Sequence, residues 1–196
     1  MSKGFVVSID EFNDSCKKAE ELLWHIEDGY DAAVLRAMNR AAISGRAAAV
    51  ATIRQEYTVK ASTLRNAIEL QKANKHDHEA SVYVSGSALS LSNFKVRPTS
   101  DTTGKNRKQV RVQVKNDGGL KPLGHFIYRG HVFARLGSAR LPFEVKAGPS
   151  VPSMANSEIV KKNVEQAMRE TFVKRLDHEV LYILDRGNAG LKNHTY

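Results

Sequence analysis

Cysteine occurs once in 196 residues, at Cys16. That excludes an intramolecular disulfide and any zinc site built on cysteines. Cys16 itself falls on an apolar stripe, where the ordinary role of a thiol is that of a small buried hydrophobe. No apolar run reaches the roughly 18 residues that a membrane-spanning helix needs. The opening MSKGFVVSIDEFNDS has too short an apolar stretch for a secretory signal and turns acidic at once. This predicts a protein made and kept in the cytoplasm. Catalytic signatures are missing as well: there is no GxSxG, no HExxH, no P-loop and no GxGxxG between a strand and a helix. His25, His125, His131, His178 and His194 are scattered. Asp177-His178-Glu179 falls in a helical stretch, where consecutive side chains point in different directions. The sequence therefore reads as a non-enzyme with no catalytic residues, no bound metal and no cofactor.

What is present is a long Ala-rich stretch, Asp31 to Tyr57, with no proline and one glycine, Gly45. Alanine loses no side-chain entropy in a helix. The stretch predicts a single helix of about 26 residues, about 39 Å long. At 100° per residue Arg36, Arg40 and Arg54 share one side, with Arg46 at its margin. The opposite side carries Val34, Met38, Ala41, Ala42, Gly45, Ala48, Ala49 and Ile53, small enough for close approach of a packed element. A solvated basic face is the plain reading of the arginines; contact with something acidic is the sharper one.

Hydrophobic content is 41% and charged content 26%, which suits a folded globular chain. The net charge of +9 is unevenly placed. Residues 1–30 hold three lysines and seven acids (−4); 31–75 hold eight bases and three acids (+5); 101–150 hold ten bases and three acids (+7). An acidic end beside a basic body points to self-association, an acidic partner or nucleic acid.

Along the chain, Gly4–Ser8 reads either as a short strand or as a lead-in. Ser8-Ile9-Asp10-Glu11 has the form of a capping box, with Ser8 as N-cap. Ile9, Phe12, Cys16, Ala19, Leu23 and Ile26 then recur at helical spacing to about Glu27. A short helix is expected over Ala61–Ala67. Ile68–Ala73 and Ala80–Ser85 should be strands joined by Asn74–Glu79. His76 and His78 in that loop could hold a divalent ion if both rings pointed the same way, but a lone hairpin tip is ordinarily a polar turn. Ala88–Phe94 suggests an edge strand, and Arg97–Asn106 a mobile, turn-rich segment. In Gln109–Lys115, Val110, Val112 and Val114 should face one way and Gln109, Arg111, Gln113 and Lys115 the other. Asn116–Gly119 should turn the chain into a partner strand over Lys121–Arg129. His131–Arg135 and Leu141–Lys146 should pair around Gly137-Ser138. Ala147–Ser153 reads as a rigid irregular connection.

Ser157 is the expected N-cap of a last helix running to about Asp185, with Gly187 as its C-cap. Its apolar residues Val160, Val164, Met168, Phe172, Leu176, Val180 and Leu184 step by four. Each step advances about 40°, so the stripe winds around the helix. One flat surface cannot bury it all, which leaves Val180, Leu181, Ile183 and Leu184 only partly coverable. The expected fold is α+β: a mainly antiparallel sheet packed by the long Ala-rich helix and the long C-terminal helix. The expected organisation is an acidic helix at 1–30, one α+β domain at 31–187 and a flexible tail at 188–196.

Three segments carry a resemblance: RAMNRAA (Arg36–Ala42) with IRQEYTVKASTLRNAI (Ile53–Ile68); LSLSNF (Leu89–Phe94) followed by QVRVQVK and GHFIYR (Gly124–Arg129); and RLPFEVKAGPSVPSM (Arg140–Met154) leading to FVKRLDHEV (Phe172–Val180). In that order, over roughly residues 31–184, the chain resembles the prophage minor tail protein Z family of long-tailed phages. The resemblance implies a structural virion protein acting in tail completion and head–tail joining at the head-proximal end of the tail. It implies other tail and neck proteins as partners, a homo-oligomeric ring, and assembly in the host cytoplasm. Candidate interface residues are Arg36, Arg40, Arg54, Val180, Leu181, Ile183 and Leu184. Arg107, Lys108, Arg111 and Lys115 are candidates to face DNA in the tail lumen. The alternative is a basic nucleic-acid-binding module contacting phosphates. Against it, the basic region has few aromatics for stacking and no helix-turn-helix.

Overall fold

The computed structural model describes residues 3–8, 12–102, 108–139 and 141–192. The fold is α+β, with long helices and small antiparallel sheets. Contacts divide the chain into two compact units. A helical unit comprises Lys3–Ala49, Ile68–Tyr83 and the chain from Glu158 on; a sheet unit comprises Val50–Ala67 and Val84–Ser157.

The helical unit contains strand β1 (Lys3–Ser8), helix α1 (Asn13–Leu23), most of α2 (Gly29–Glu56), strands β2 (Ile68–Gln71) and β3 (Glu79–Val84), and α5 (Glu158–Lys192). Its sheet has the order β1-β3-β2, so the expected β2–β3 hairpin is joined by β1 on the other edge. Ser8 ends β1 rather than capping a helix. The helix starts at Asn13, and Phe12 at the N-cap position makes no side-chain cap bond. Asp10 and Glu11, the rest of the expected capping box, lie outside the described residues. The core is built on the small face of α2: Val34, Met38, Ala41, Ala42, Gly45 and Ala49 are buried. α5 lies close against it, with the Ser44 and Thr171 hydroxyls bonded at 2.9 Å.

The winding stripe of α5 is buried from Val160 through Val180, further than a single flat surface would allow. Successive elements cover it as it turns. Val164 and Met168 lie beside Gly45 of α2, Phe172 packs on Phe12 with ring centroids 4.2 Å apart, and α1 flanks Leu176 and Val180. Each such side chain contributes about 1.5–3 kcal/mol on leaving water. Val180 is 5% exposed, so the expected uncovering begins one residue later. α5 also continues past Gly187, the expected C-cap, to Lys192.

The sheet unit holds the end of α2, α3 (Ala61–Ala67), β4 (Ala88–Ser90), a 3-10 turn (Leu91–Asn93), β5 (Lys95–Arg97), β6 (Val110–Gln113), β7 (Lys121–Leu123), β8 (Phe126–Tyr128), β9 (His131–Arg135), β10 (Phe143–Val145), β11 (Ala147–Ser150) and α4 (Val151–Ala155). The strands form three separate sheets, β5-β6-β7, β8-β9-β10 and β4-β11. The strand expected over Lys121–Arg129 is broken at Gly124-His125, and its halves join different sheets. β8 turns into β9 through Arg129 (φ +48°) and Gly130 (φ +77°), a two-residue hairpin that needs positive φ at both positions. β9 and β10 pair as expected, Ala134 opposite Glu144.

Ala147–Ser153 is ordered structure rather than an irregular link. β11 pairs with β4, and Ser150 caps α4 by accepting from the Ser153 N–H. Gln113 departs from the expected alternation: it is buried, because residues 57–58 run along the end of β6. The Thr58 hydroxyl donates to the Gln113 carbonyl, and the Gln113 amide donates to the Asn116 carbonyl at 2.9 Å. The segment expected to be mobile is partly anchored. Thr102 is buried, its N–H donates to the Ile127 carbonyl at 3.0 Å, and its hydroxyl accepts the Ile127 N–H at 2.8 Å. Residues 103–107 lie outside the described residues.

Candidate functional site

Two surfaces carry the features expected of contact sites. The first, in the helical unit, follows from how α1 covers α5. Cys16, Ala19 and Leu23, spaced by three and four, are buried, and α1 packs on α5. Apolar residues flanking that stripe stay outside. A groove of about 420 Å³ runs between the two helices, lined by Ala19, Leu22, Val173, Leu176, Val180 and Leu181. Leu22 is 52% exposed, Leu181 63% and Trp24, just past α1, 81%. Tyr182 adds a further exposed ring, with the Arg186 guanidinium 5.0 Å from its centroid. Ile183 and Leu184 are half-buried. Of the four expected interface residues on α5, Leu181 is thus the most exposed and Val180 belongs to the core.

The arginine side of α2 is partly engaged within the unit. Arg36 meets Glu179 at 3.3 Å, and Arg175 reaches the same carboxylate at 3.0 Å. Glu179 is 6% exposed, so these cations offset the cost of burying an acid. Arg40 is exposed. Arg54 is also exposed and lies in the part of α2 that belongs to the sheet unit. Tyr30 and Cys16 share a hydrogen bond in the same unit; burial pushes the Cys16 thiol up, against that bond, and pushes the Tyr30 hydroxyl up to about 12. A thiol held protonated is a poor nucleophile.

The hairpin tip between β2 and β3 is tied down rather than poised around an ion. The Asn74 side chain accepts the N–H groups of His76 and Asp77, Lys75 meets Asp28 at 2.7 Å, and the His78 ring lies 3.4 Å from Asp31. Among the described residues no group of three His, Cys, Asp or Glu is placed to hold a metal ion.

The second surface is the β5-β6-β7 sheet. Arg111 on β6 pairs directly with Arg97 on β5, and Lys95 pairs with Gln113. Directly paired residues share a face, as do residues two apart on a strand, so Lys95, Arg97 and Arg111 lie on one side. All three are exposed. Of the residues expected to face DNA, Arg111 is on this side. Lys108 is exposed ahead of β6, and Arg107 lies outside the described residues. Lys115 is neutralised by Glu56 at 2.9 Å and sits over the Tyr57 ring. The other side of this sheet borders a groove of about 640 Å³ lined by Val112, Lys115, Lys121, Leu123, His125 and Lys146. Its lysines are partly neutralised, Lys146 by Glu144 and Lys115 by Glu56. Lys95 and Arg97 escape a reading of the sequence, because a three-residue strand ending at a proline shows almost no alternation. Only the pairing with β6 places them.

No helix among the described residues is long and apolar enough to cross a membrane. No curated protein and no solved structure matches the chain significantly. The family model of prophage minor tail protein Z matches residues 15–186, a span that runs from the first turn of α1 into the final turns of α5 and takes in both units. The chain therefore belongs to the prophage minor tail protein Z family, structural components of the phage tail whose partners are other tail proteins.

Proposed function

We propose that the protein completes the head-proximal end of the tail and joins it to the head, as one subunit of a homo-oligomeric ring formed in the host cytoplasm with other tail and neck proteins. The observation that carries this reading is the largely apolar groove between α1 and α5, with Leu22 and Leu181 of its lining exposed. A lone subunit leaves this apolar cluster in water, and such patches are characteristic of protein contacts. The uneven charge of the chain suits a head-to-tail ring, in which two different surfaces of neighbouring copies meet. Charges at the rim steer the encounter while apolar anchors hold it.

Leu181→Asp tests the reading. Leu181 makes little use of the core, so the variant subunit keeps its helical circular dichroism and its melting temperature. In a phage lacking the protein, the variant then fails to restore infectious particles, and unjoined heads and tails accumulate. Full complementation by a folded Leu181→Asp subunit would remove the groove from the assembly argument.

A further inference from the structure

Three cations crowd one side of the β5-β6-β7 sheet. Arg97 and Arg111 are direct cross-strand partners, and Lys95 stands two residues from Arg97 on the same side. Directly opposed residues place their Cβ atoms about 4.5–5.5 Å apart, and like charges in that arrangement destabilise a sheet. Among the described residues no acid pairs with any of the three. Elsewhere in the same unit Lys115 and Lys146 do have acidic partners. A short sheet that keeps an uncompensated repulsion breaks a local rule with no internal gain, and such breaks mark functional positions.

We propose that this face binds the phosphate backbone of nucleic acid, with Lys95, Arg97 and Arg111 each meeting a phosphate. The site does not depend on the assembly role of the groove. Guanidinium forks match phosphate oxygens in pairs, and arginine supplies two of the three cations. Along β5 the cations repeat every two residues, about 6.8 Å. Each phosphate of a duplex strand combines an axial rise of about 3.4 Å with the turn of the helix, which sets neighbouring phosphates apart by about the same distance as these cations, so adjacent phosphates fall in step with Lys95 and Arg97. The rival polyanion is the acidic N-terminal region of a second copy, and it fits less well. On α1, Lys17 and Lys18 interrupt Asp14, Glu20 and Glu21, all exposed, while Asp28 and Asp31 already meet Lys75 and His78.

The test is fluorescence anisotropy of a short labelled DNA duplex with the full chain across a salt series. Each neutralised phosphate contributes about −0.9 to the slope of log K against log salt. The Arg97→Gln/Arg111→Gln double variant should therefore show a slope about 1.8 shallower than the parent. Arg97→Lys/Arg111→Lys keeps the parent slope. Arg111→Thr alone loses affinity yet melts no lower than the parent, because the opposed charges are gone; a merely structural arginine would not separate the two readouts. If the double glutamine variant fails to fold, Lys95→Gln carries the test, with a slope about 0.9 shallower. An unchanged slope in a folded variant overturns the proposal. So does labelled polyglutamate binding as tightly as the duplex at equal salt, which would assign the face to an acidic protein.

Discussion

A Cβ on Gly45 of α2 would stand 2.5 Å from both Cγ and Sδ of Met168 on α5. Real Cβ atoms do not approach that closely, so with the Met168 side chain in this position only glycine fits at residue 45. Gly45 lies inside a helix, where glycine costs about 1 kcal/mol relative to alanine. The close packing of α5 outweighs that cost.

Gly45→Ala therefore destabilises the protein despite its better helix propensity. Overpacking a core typically costs about 1–3 kcal/mol, partly offset by the propensity gain. Urea denaturation should show a lower midpoint at unchanged slope. Trimming the other partner, as in Gly45→Ala/Met168→Val, recovers part of the loss. A midpoint equal to or above the parent's would mean that Met168 swings away freely and the contact does not set the helix spacing.

Thr102 holds β8 from outside its hairpin. Its hydroxyl takes the buried Ile127 N–H while its own N–H reaches the Ile127 carbonyl. Next to it, the Asp101 carboxylate accepts the N–H of Arg129, a residue held at positive φ in the β8–β9 turn. Thr102→Val keeps the shape but leaves the Ile127 N–H unsatisfied, at a cost of about 1–3 kcal/mol. Hydrogen exchange should speed up at Ile127 and through the β8–β9 turn, ahead of the rest of the sheet unit. Uniform exchange in the variant would show that Thr102 is a bystander.

Tyr30 makes stability depend on pH at the alkaline end. Burial chiefly, with Cys16 adding to it, raises its hydroxyl from 10.0 to about 12. Because the folded value is the higher one, the unfolded chain loses its proton first as pH rises. The contribution is complete below about pH 10 and is lost between about 10 and 12. Thermal melts of the parent should fall across that window more steeply than those of Tyr30→Phe. Cys16, buried and raised in the same direction, should react with a thiol reagent only when urea unfolds the chain. Rapid modification of the native protein would contradict this placement.

Much of the helical architecture was legible from local chemistry. Ala61–Ala67 appears with the expected bounds, and α2 starts at Gly29, two residues before the expected Asp31. Propensity and periodicity decide such elements within a single segment, because the bonds that close a helix join residues four apart. The burial of Val34, Met38, Ala41 and Ile53 could be read in the same way, from spacing alone. One of the three cations of the candidate nucleic-acid face was legible too: alternation around Val110 and Val112 is enough to turn Arg111 outward.

What no segment contains is its partner. Whether Lys121–Arg129 forms one strand or two depends on β6 taking the first half and β9 the second. Whether Gln113 faces water depends on residues 57–58 lying alongside it. That Arg97 opposes Arg111 is a register between segments separated by a loop, and strand pairing is written in bonds between distant residues. The stripe on α5 shows both sides of the division. Its steps of four determined that it would wind. Only the tertiary packing decided that α2, Phe12 and α1 would cover it in turn as far as Val180 and leave Leu181 in water. A helix determines the direction of its own side chains, but burial requires a second surface, and that surface comes from elsewhere in the chain.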